Sequence, residues 1–231
     1  MKTLAFIALL AMAAAPGFPR KNGTLNAGGL TISEAGQRLI LDFEVGGGEP
    51  YYVRCLQRPS WPLGQSGVTI GVGYDLGYNT REQIAKDWSE LPPVTLARVQ
   101  ACAGLKGVAA KLKTREVRDI LIPWPLALKV YQSRTIPRFA TLTRAAYPGV
   151  DSLDPSVQGA MLSWVFNRGE GIGSGPRDLE KRLIRRDTPD HVDKLPEHFL
   201  ASQRLWIGTE NGAGLCRRRR AEAALIQSTL P

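Results

Sequence analysis

Between Val68 and Asp75 the chain reads VTIGVGYD, a strand pattern broken twice by glycine. Side chains on a strand alternate between faces, so Val68, Ile70, Val72 and Tyr74 share an apolar face and Thr69, Gly71, Gly73 and Asp75 share the other. That second face carries a hydroxyl and a carboxyl separated by two positions without side chains, which permits close approach of a ligand to backbone. Left straight, the strand would hold Thr69 and Asp75 roughly 20 Å apart, at about 3.3 Å per residue, too far to share one water. A bend at Gly71 to Gly73 is therefore expected. The bland alternative is a glycine-rich hairpin whose polar face is merely solvated.

Upstream, Leu39, Ile40 and Phe43 recur at helical spacing; Thr31 or Ser33 is placed to cap that helix, and Gly46 to Gly48 to end it. Glu44 then falls in the last turn. A carboxylate is disfavoured at the negative end of a helix dipole, so the expected drift of its pKa is upward, the direction a general acid needs. The competing reading is an exposed glutamate with no role. Glu49, the nearest rival, precedes Pro50 in the expected loop and lacks rigid support.

These residues resemble a family. FE followed by WPLGQSGVTIGVGYDLG is similar to the pesticin-type muramidases, relatives of the phage lysozymes of glycoside hydrolase family 24. MLSWVFNRGEGI (Met161 to Ile172) resembles the helix end that lines the far side of that family's cleft, and GLCRRRRAEAALI (Gly214 to Ile226) its terminal GL-x-x-RR-x-x-E helix. The resemblance covers about residues 30 to 227. It implies a catalytic set of Glu44, Thr69 and Asp75: Glu44 as general acid, Thr69 holding a water, Asp75 orienting or activating that water and stabilising positive charge on the sugar. The implied substrate is the peptidoglycan strand, cut between N-acetylmuramic acid and N-acetylglucosamine, with no metal or organic cofactor. One departure stands out: classical phage lysozymes place their Asp before the TIG segment, whereas Tyr51 to Ser66 contains no Asp or Glu, leaving Asp75 as the nearby candidate.

Two residues are candidate sugar contacts. Trp61, flanked by Pro59 and Pro62, is suited to stacking on a ring or, equally, to anchoring its loop. Asn167, in FNRGEGIG, is suited to bonding an N-acetyl group, although an Asn before glycine at a helix end is more often structural. Trp164 reads as core. The run Arg217 to Arg220 reads as a solvated helix face, since AEAALI follows at helical spacing.

The expected fold is α+β and lysozyme-like, a small helix-plus-hairpin lobe against a larger helical lobe with a cleft between. Thr80-Arg81-Glu82-Gln83 marks a capped helix start, and Asp154-Pro155 and Thr188-Pro189 each offer proline at a first helical position. Pro123 and Pro125 separate a helix near residues 114–122 from a longer one through about Ala145. Residues 1–15, with Lys2 before the apolar run Leu4 to Ala15 and small residues at Ala11-Met12-Ala13, read as a signal peptide or an uncleaved signal-anchor. Residues 16–29 read as a linker and 30–231 as the catalytic domain.

Export to the periplasm or beyond follows from that leader, with membrane contact only through an uncleaved anchor. Cys55 and Cys102 can pair while Cys216 stays reduced, or all three can be free. A net charge of +9 indicates polyanionic surroundings without choosing among nucleic acid, anionic lipid and an acidic envelope. No nucleic-acid recognition motif, metal motif or His-based triad accompanies it, and only His191 and His198 are present. The expected state is a monomer whose partner is peptidoglycan, with an inhibitor or immunity protein as a further partner. A glycan-binding module that grips the wall without cutting it is the alternative function.

Overall fold

The computed structural model describes residues 23–46, 48–210 and 212–231. The leader at 1–15 and residues 16–22 of the linker lie outside the described residues. The chain forms a helix-rich α+β fold with two separate two-stranded antiparallel sheets.

Thr24–Ala27 (β1) pairs with Leu30–Ser33 (β2) through a Gly28-Gly29 turn, so the last part of the expected linker is a hairpin. Ser33 caps the helix that follows, Glu34–Val45 (α1), its hydroxyl accepting from the Gly36 N–H, and Gly46 closes it in the left-handed conformation. The choice between Thr31 and Ser33 is thus settled for Ser33. A short helix, Gly48–Cys55 (α2), comes next, and Glu49 lies exposed in its first turn rather than in a loop.

The glycine-interrupted strand is two short strands, Thr69–Ile70 (β3) and Tyr74–Asp75 (β4), folded back on each other. Gly71 and Gly73 take φ of 59° and 71°, left-handed values that an L side chain adopts only at a cost of roughly 1–2 kcal/mol. Val68, Ile70, Val72 and Tyr74 are all buried, as the alternation requires.

Beyond the hairpin the chain is helical: Arg81–Asp87 (α3), Pro93–Gln100 (α4), Gly107–Val117 (α5), Trp124–Val130 (α6), a π-helical turn at Tyr131–Thr135, Ile136–Ala146 (α7), Pro155–Arg168 (α8), Leu179–Asp187 (α9), Leu195–Ala201 (α10) and Gly212–Gln227 (α11). The Thr80 hydroxyl caps α3 by accepting from the Gln83 N–H, and Asp154 caps α8 ahead of Pro155. Thr188-Pro189 corrects an expectation: it follows α9 as its C-cap instead of starting a helix. The helix expected near 114–122 ends at Val117, and Pro123 and Pro125 sit at the start of α6.

Helix α8 is the axis of the fold, with nine buried residues, among them Trp164, and extensive packing on α1, α11, α7 and β2. Its approach to α1 is close: a Cβ on Gly159 would stand 2.7 Å from the Gly36 Cα, and one on Gly36 2.9 Å from the Gly159 Cα. Two glycines facing each other let these backbones nearly touch, which fixes where the end of α1, and so Glu44, sits relative to α8. Among the described residues no helix is long and apolar enough to cross a membrane.

Candidate functional site

Glu44 occupies the last turn of α1, a quarter exposed, where Arg218 of α11 donates from Nη1 to its Oε1 at 2.8 Å. Arg218 is itself held inside the protein: Nε donates to the Ser163 hydroxyl at 3.1 Å, Nη2 to the Ser163 carbonyl at 3.1 Å, and the guanidinium lies 5.5 Å from the centre of the Phe43 ring. Behind it, Glu222 accepts from the Ser163 hydroxyl at 2.5 Å and from Arg219 at 2.7 Å. Three helices are tied at one point: α8 supplies Ser163, α11 supplies Arg218, Arg219 and Glu222, and α1 supplies Glu44. Only Oε1 of Glu44 is engaged, so Oε2 has no protein partner among the described residues.

This corrects the reading of Arg217 to Arg220 as a solvated face. Arg217 and Arg220 are exposed, but Arg218 and Arg219 are 4 % and 0 % exposed. Burying a guanidinium demands a counter-charge, and Glu222, placed four residues after Arg218 and three after Arg219, supplies it on the same helix face. Arg219 is also sandwiched by aromatic rings, 4.6 Å from the centre of Trp164 and 5.6 Å from that of Trp206. Burial pulls its pKa down to about 10. Tyr131, in the π-helical turn, completes this neighbourhood: its hydroxyl is buried with no partner, and burial first, then the charge of Glu44, push its pKa well above the usual range. Helical irregularities of this kind recur at functional sites.

The hairpin brings Thr69 and Asp75 together as directly opposed partners, so the bend at Gly71 to Gly73 does what the sequence requires. The Thr69 hydroxyl is half-buried and bonds no protein group among the described residues. Asp75 is differently placed. Its carboxylate accepts from the Gly67 N–H at 3.1 Å on Oδ1 and 3.0 Å on Oδ2, and from the Gly77 N–H at 2.8 Å on Oδ1. These contacts use about three of the roughly four lone-pair sites of a carboxylate. Asp75 therefore clamps the chain on both sides of the hairpin, and no hydrogen bond or ion pair joins Glu44 to either Thr69 or Asp75 among the described residues.

Asp75 also lines a cleft of about 670 Å³ between the hairpin, α3 and the π-helical turn, with Tyr74, Asp87, Arg134, Arg138 and Phe139 around it. Asp87 is almost fully buried there; it accepts from the Tyr74 hydroxyl at 2.8 Å and pairs with Arg134 at 2.8 Å. Burial, reinforced by that bond, pushes the Tyr74 phenol well above its usual range.

Trp61 is tied to its own loop: its Nε1 donates to the Ser66 carbonyl at 3.1 Å and its ring, partly buried, packs on the core. Asn167 lies elsewhere, lining a second, smaller cavity at the end of α8, with its Oδ1 buried and unpartnered. Glu44 lines neither of these two cavities. Cys55, Cys102 and Cys216 are all free thiols, which favours the unpaired alternative. Among the described residues no cluster of His, Cys, Asp and Glu is arranged to hold a metal ion.

A family model described as a domain of unknown function (DUF8812) matches residues 38–128. That stretch contains Glu44, Trp61, Thr69 and Asp75 and stops short of α8 and α11, which supply Ser163 and Arg218. No curated protein sequence matches the chain.

Proposed function

We propose that the chain is a peptidoglycan hydrolase, a muramidase of lysozyme-like fold that cleaves the β-1,4 bond between N-acetylmuramic acid and N-acetylglucosamine. The observation that carries this reading is Glu44: a partly exposed carboxyl group fixed through one oxygen by a buried arginine, with the other oxygen free to meet a substrate. General acid catalysis needs a carboxyl group in a fixed orientation with one oxygen presented to the departing glycosidic oxygen. The resemblance of the Phe43–Gly77 segment to the muramidases supplies the substrate class, and the net charge of +9 suits an anionic envelope.

In this reading Glu44 donates the proton through Oε2 while Arg218 holds Oε1. The free Thr69 hydroxyl holds the attacking water. Asp75, with about one acceptor site left, takes the proton that this water loses as it bonds to the sugar carbon, and stiffens the hairpin that carries Thr69. A carboxylate tied to two backbone N–H groups is poorly placed to attack the sugar carbon itself, so water attack and inversion of the anomeric centre follow. Export of the protein belongs to the same proposal.

Digestion of purified peptidoglycan tests it. New reducing ends on N-acetylmuramic acid, released as the inverted anomer, are the expected products. Binding to walls without any release of reducing ends would favour the non-catalytic module, a reading to which the engagement of Asp75 with backbone lends weight.

A further inference from the structure

The cavity at the end of α8 has a charge imbalance of its own. It encloses about 360 Å³ and is lined by Asn167, Arg168, Arg177, Asp178, Lys181 and Trp206, among others, so three cations face a single carboxylate. Two of those cations are not surface groups: the side chains of Arg168 and Lys181 are 4 % and 5 % exposed. Buried charges ordinarily come with matching counter-charges, because leaving water costs several kcal/mol per ion on the order-of-magnitude scale for real proteins. Here one carboxylate is shared between two buried cations: Asp178 is ion-paired at 3.6 Å with Arg168 and at 3.7 Å with Lys181, both longer than a hydrogen bond. No second carboxylate joins it: Glu180 is turned to Arg204 at 2.7 Å, and Glu170 is exposed.

The donors are also incompletely used. Arg168 gives one bond from Nη2 to the Arg177 carbonyl at 2.7 Å, while its Nε is buried without a partner. Lys181 gives two, to the carbonyls of Arg168 at 2.7 Å and Gly171 at 2.5 Å, leaving one of its three ammonium hydrogens. Both groups are held still. The Arg168 guanidinium lies 5.7 Å from the centre of the Trp164 ring and 5.4 Å from that of Trp206, and Lys181 is fixed by its two carbonyls. Burial pulls the pKa of each downward, and the shared charge of Asp178 opposes that shift without cancelling it.

We propose that this cavity is a binding site for a phosphoryl group, as free phosphate or as a phosphate ester on a larger molecule. A surplus of two positive charges matches a phosphate dianion, whereas one carboxylate would leave half of it uncompensated. The unused Arg168 Nε–H, the third hydrogen of Lys181 and the exposed Arg177 at the rim supply charge-assisted donors. The site rests on no property of Glu44, Thr69 or Asp75 and stands or falls independently of glycan cleavage.

The test is titration of the full chain with inorganic phosphate, glycerol 3-phosphate and acetate, by calorimetry and by the indole N–H resonance of Trp206, assigned through Trp206→Phe. Phosphate or its ester should bind in the sub-millimolar range and move that resonance, with acetate weaker by about tenfold or more. Equal or tighter binding of glycerol 3-phosphate assigns the site to phosphate carried on a larger molecule, and a clear preference for inorganic phosphate assigns it to the free ion. Lys181→Gln should lower phosphate affinity by about tenfold, and Arg177→Gln, at an exposed position where folding is not at risk, by about threefold. The proposal fails if no phosphate compound binds by about 5 mM, if acetate binds as tightly, or if folded Arg177→Gln, together with Lys181→Gln where that folds, binds phosphate as the parent does.

Discussion

Asp75→Asn separates holding the hairpin from doing chemistry. The carboxylate accepts from two backbone donors, the N–H groups of Gly67 and Gly77. A hydrogen bond to a charged group is worth about 1.5–3 kcal/mol and one between neutral groups about 0.5–1.5 kcal/mol. The amide oxygen of Asn can still accept from both donors, as Oδ1 does now, while its NH2 replaces the Oδ2 that Gly67 also meets at 3.0 Å, so the loss is the charge assistance and that second contact, about 1 kcal/mol per donor before solvent screening. With Asp75 only half-buried, a total of about 1–2 kcal/mol is expected. For a chain of this size that lowers Tm by about 2–8 °C. Asp75→Ala leaves both N–H groups without a partner, at about 1–3 kcal/mol each, and should melt lower still. Thermal unfolding followed by circular dichroism reads both variants. If both melt within about 1 °C of the parent, the clamp contributes nothing and the argument from these hydrogen bonds is wrong.

Glu44→Gln should keep the fold and cut peptidoglycan turnover by about 10²–10⁴-fold with little change in wall binding; retention of a tenth of the parent rate would remove Glu44 as the acid. If Thr69 and Asp75 act on one water as proposed, Thr69→Ala and Asp75→Asn should each lower activity and their combination should be far from additive; rates that simply multiply would refute a shared water. Gly73→Ala introduces only the cost of a left-handed residue, whereas a Cβ on Gly71 would also meet the Trp88 ring at 2.7 Å, so Gly71→Ala should be the more destabilising of the two in urea unfolding. In the native protein a thiol reagent at neutral pH should label Cys55 alone, because Cys102 and Cys216 are buried and burial pushes the Cys102 thiol up to about 11; unfolding should release the other two.

Local chemistry explains what the sequence made legible. The Ser33 cap, the glycine stop of α1, the Thr80 and Asp154 caps and the alternating face of the hairpin all depend on residues within a few positions of each other. The bend that sets Thr69 opposite Asp75 is legible in this way, and so is the place of Glu44 in the last turn of α1. What stayed hidden depends on distance. Arg218 and Arg219 look like solvent-facing charge because the partners that admit Arg218 to the interior, Ser163 and Glu44, lie 55 and 174 positions away. The one local sign was Glu222, at helical spacing from both arginines. Thr188-Pro189 shows the converse failure: proline marks a helix boundary, but its dipeptide does not say which side the helix is on, and here Pro189 follows α9. The bonds from the Gly67 and Gly77 N–H groups to Asp75 are hidden too, because composition does not show that the hairpin turns those donors onto the carboxylate.

The knot of α1, α8 and α11 has a consequence in time. Domains form from the N-terminal side as the chain is made, yet the arginine that fixes Glu44 sits in the last helix, Gly212–Gln227. A nascent chain can complete the Gly36–Gly159 crossing and still leave Glu44 without its guanidinium until Gly212–Gln227 has left the ribosome. The orientation of that carboxyl group depends on an arginine made 174 residues after it, so loss of its helix would release Glu44 while leaving in place every residue of the Phe43–Gly77 segment.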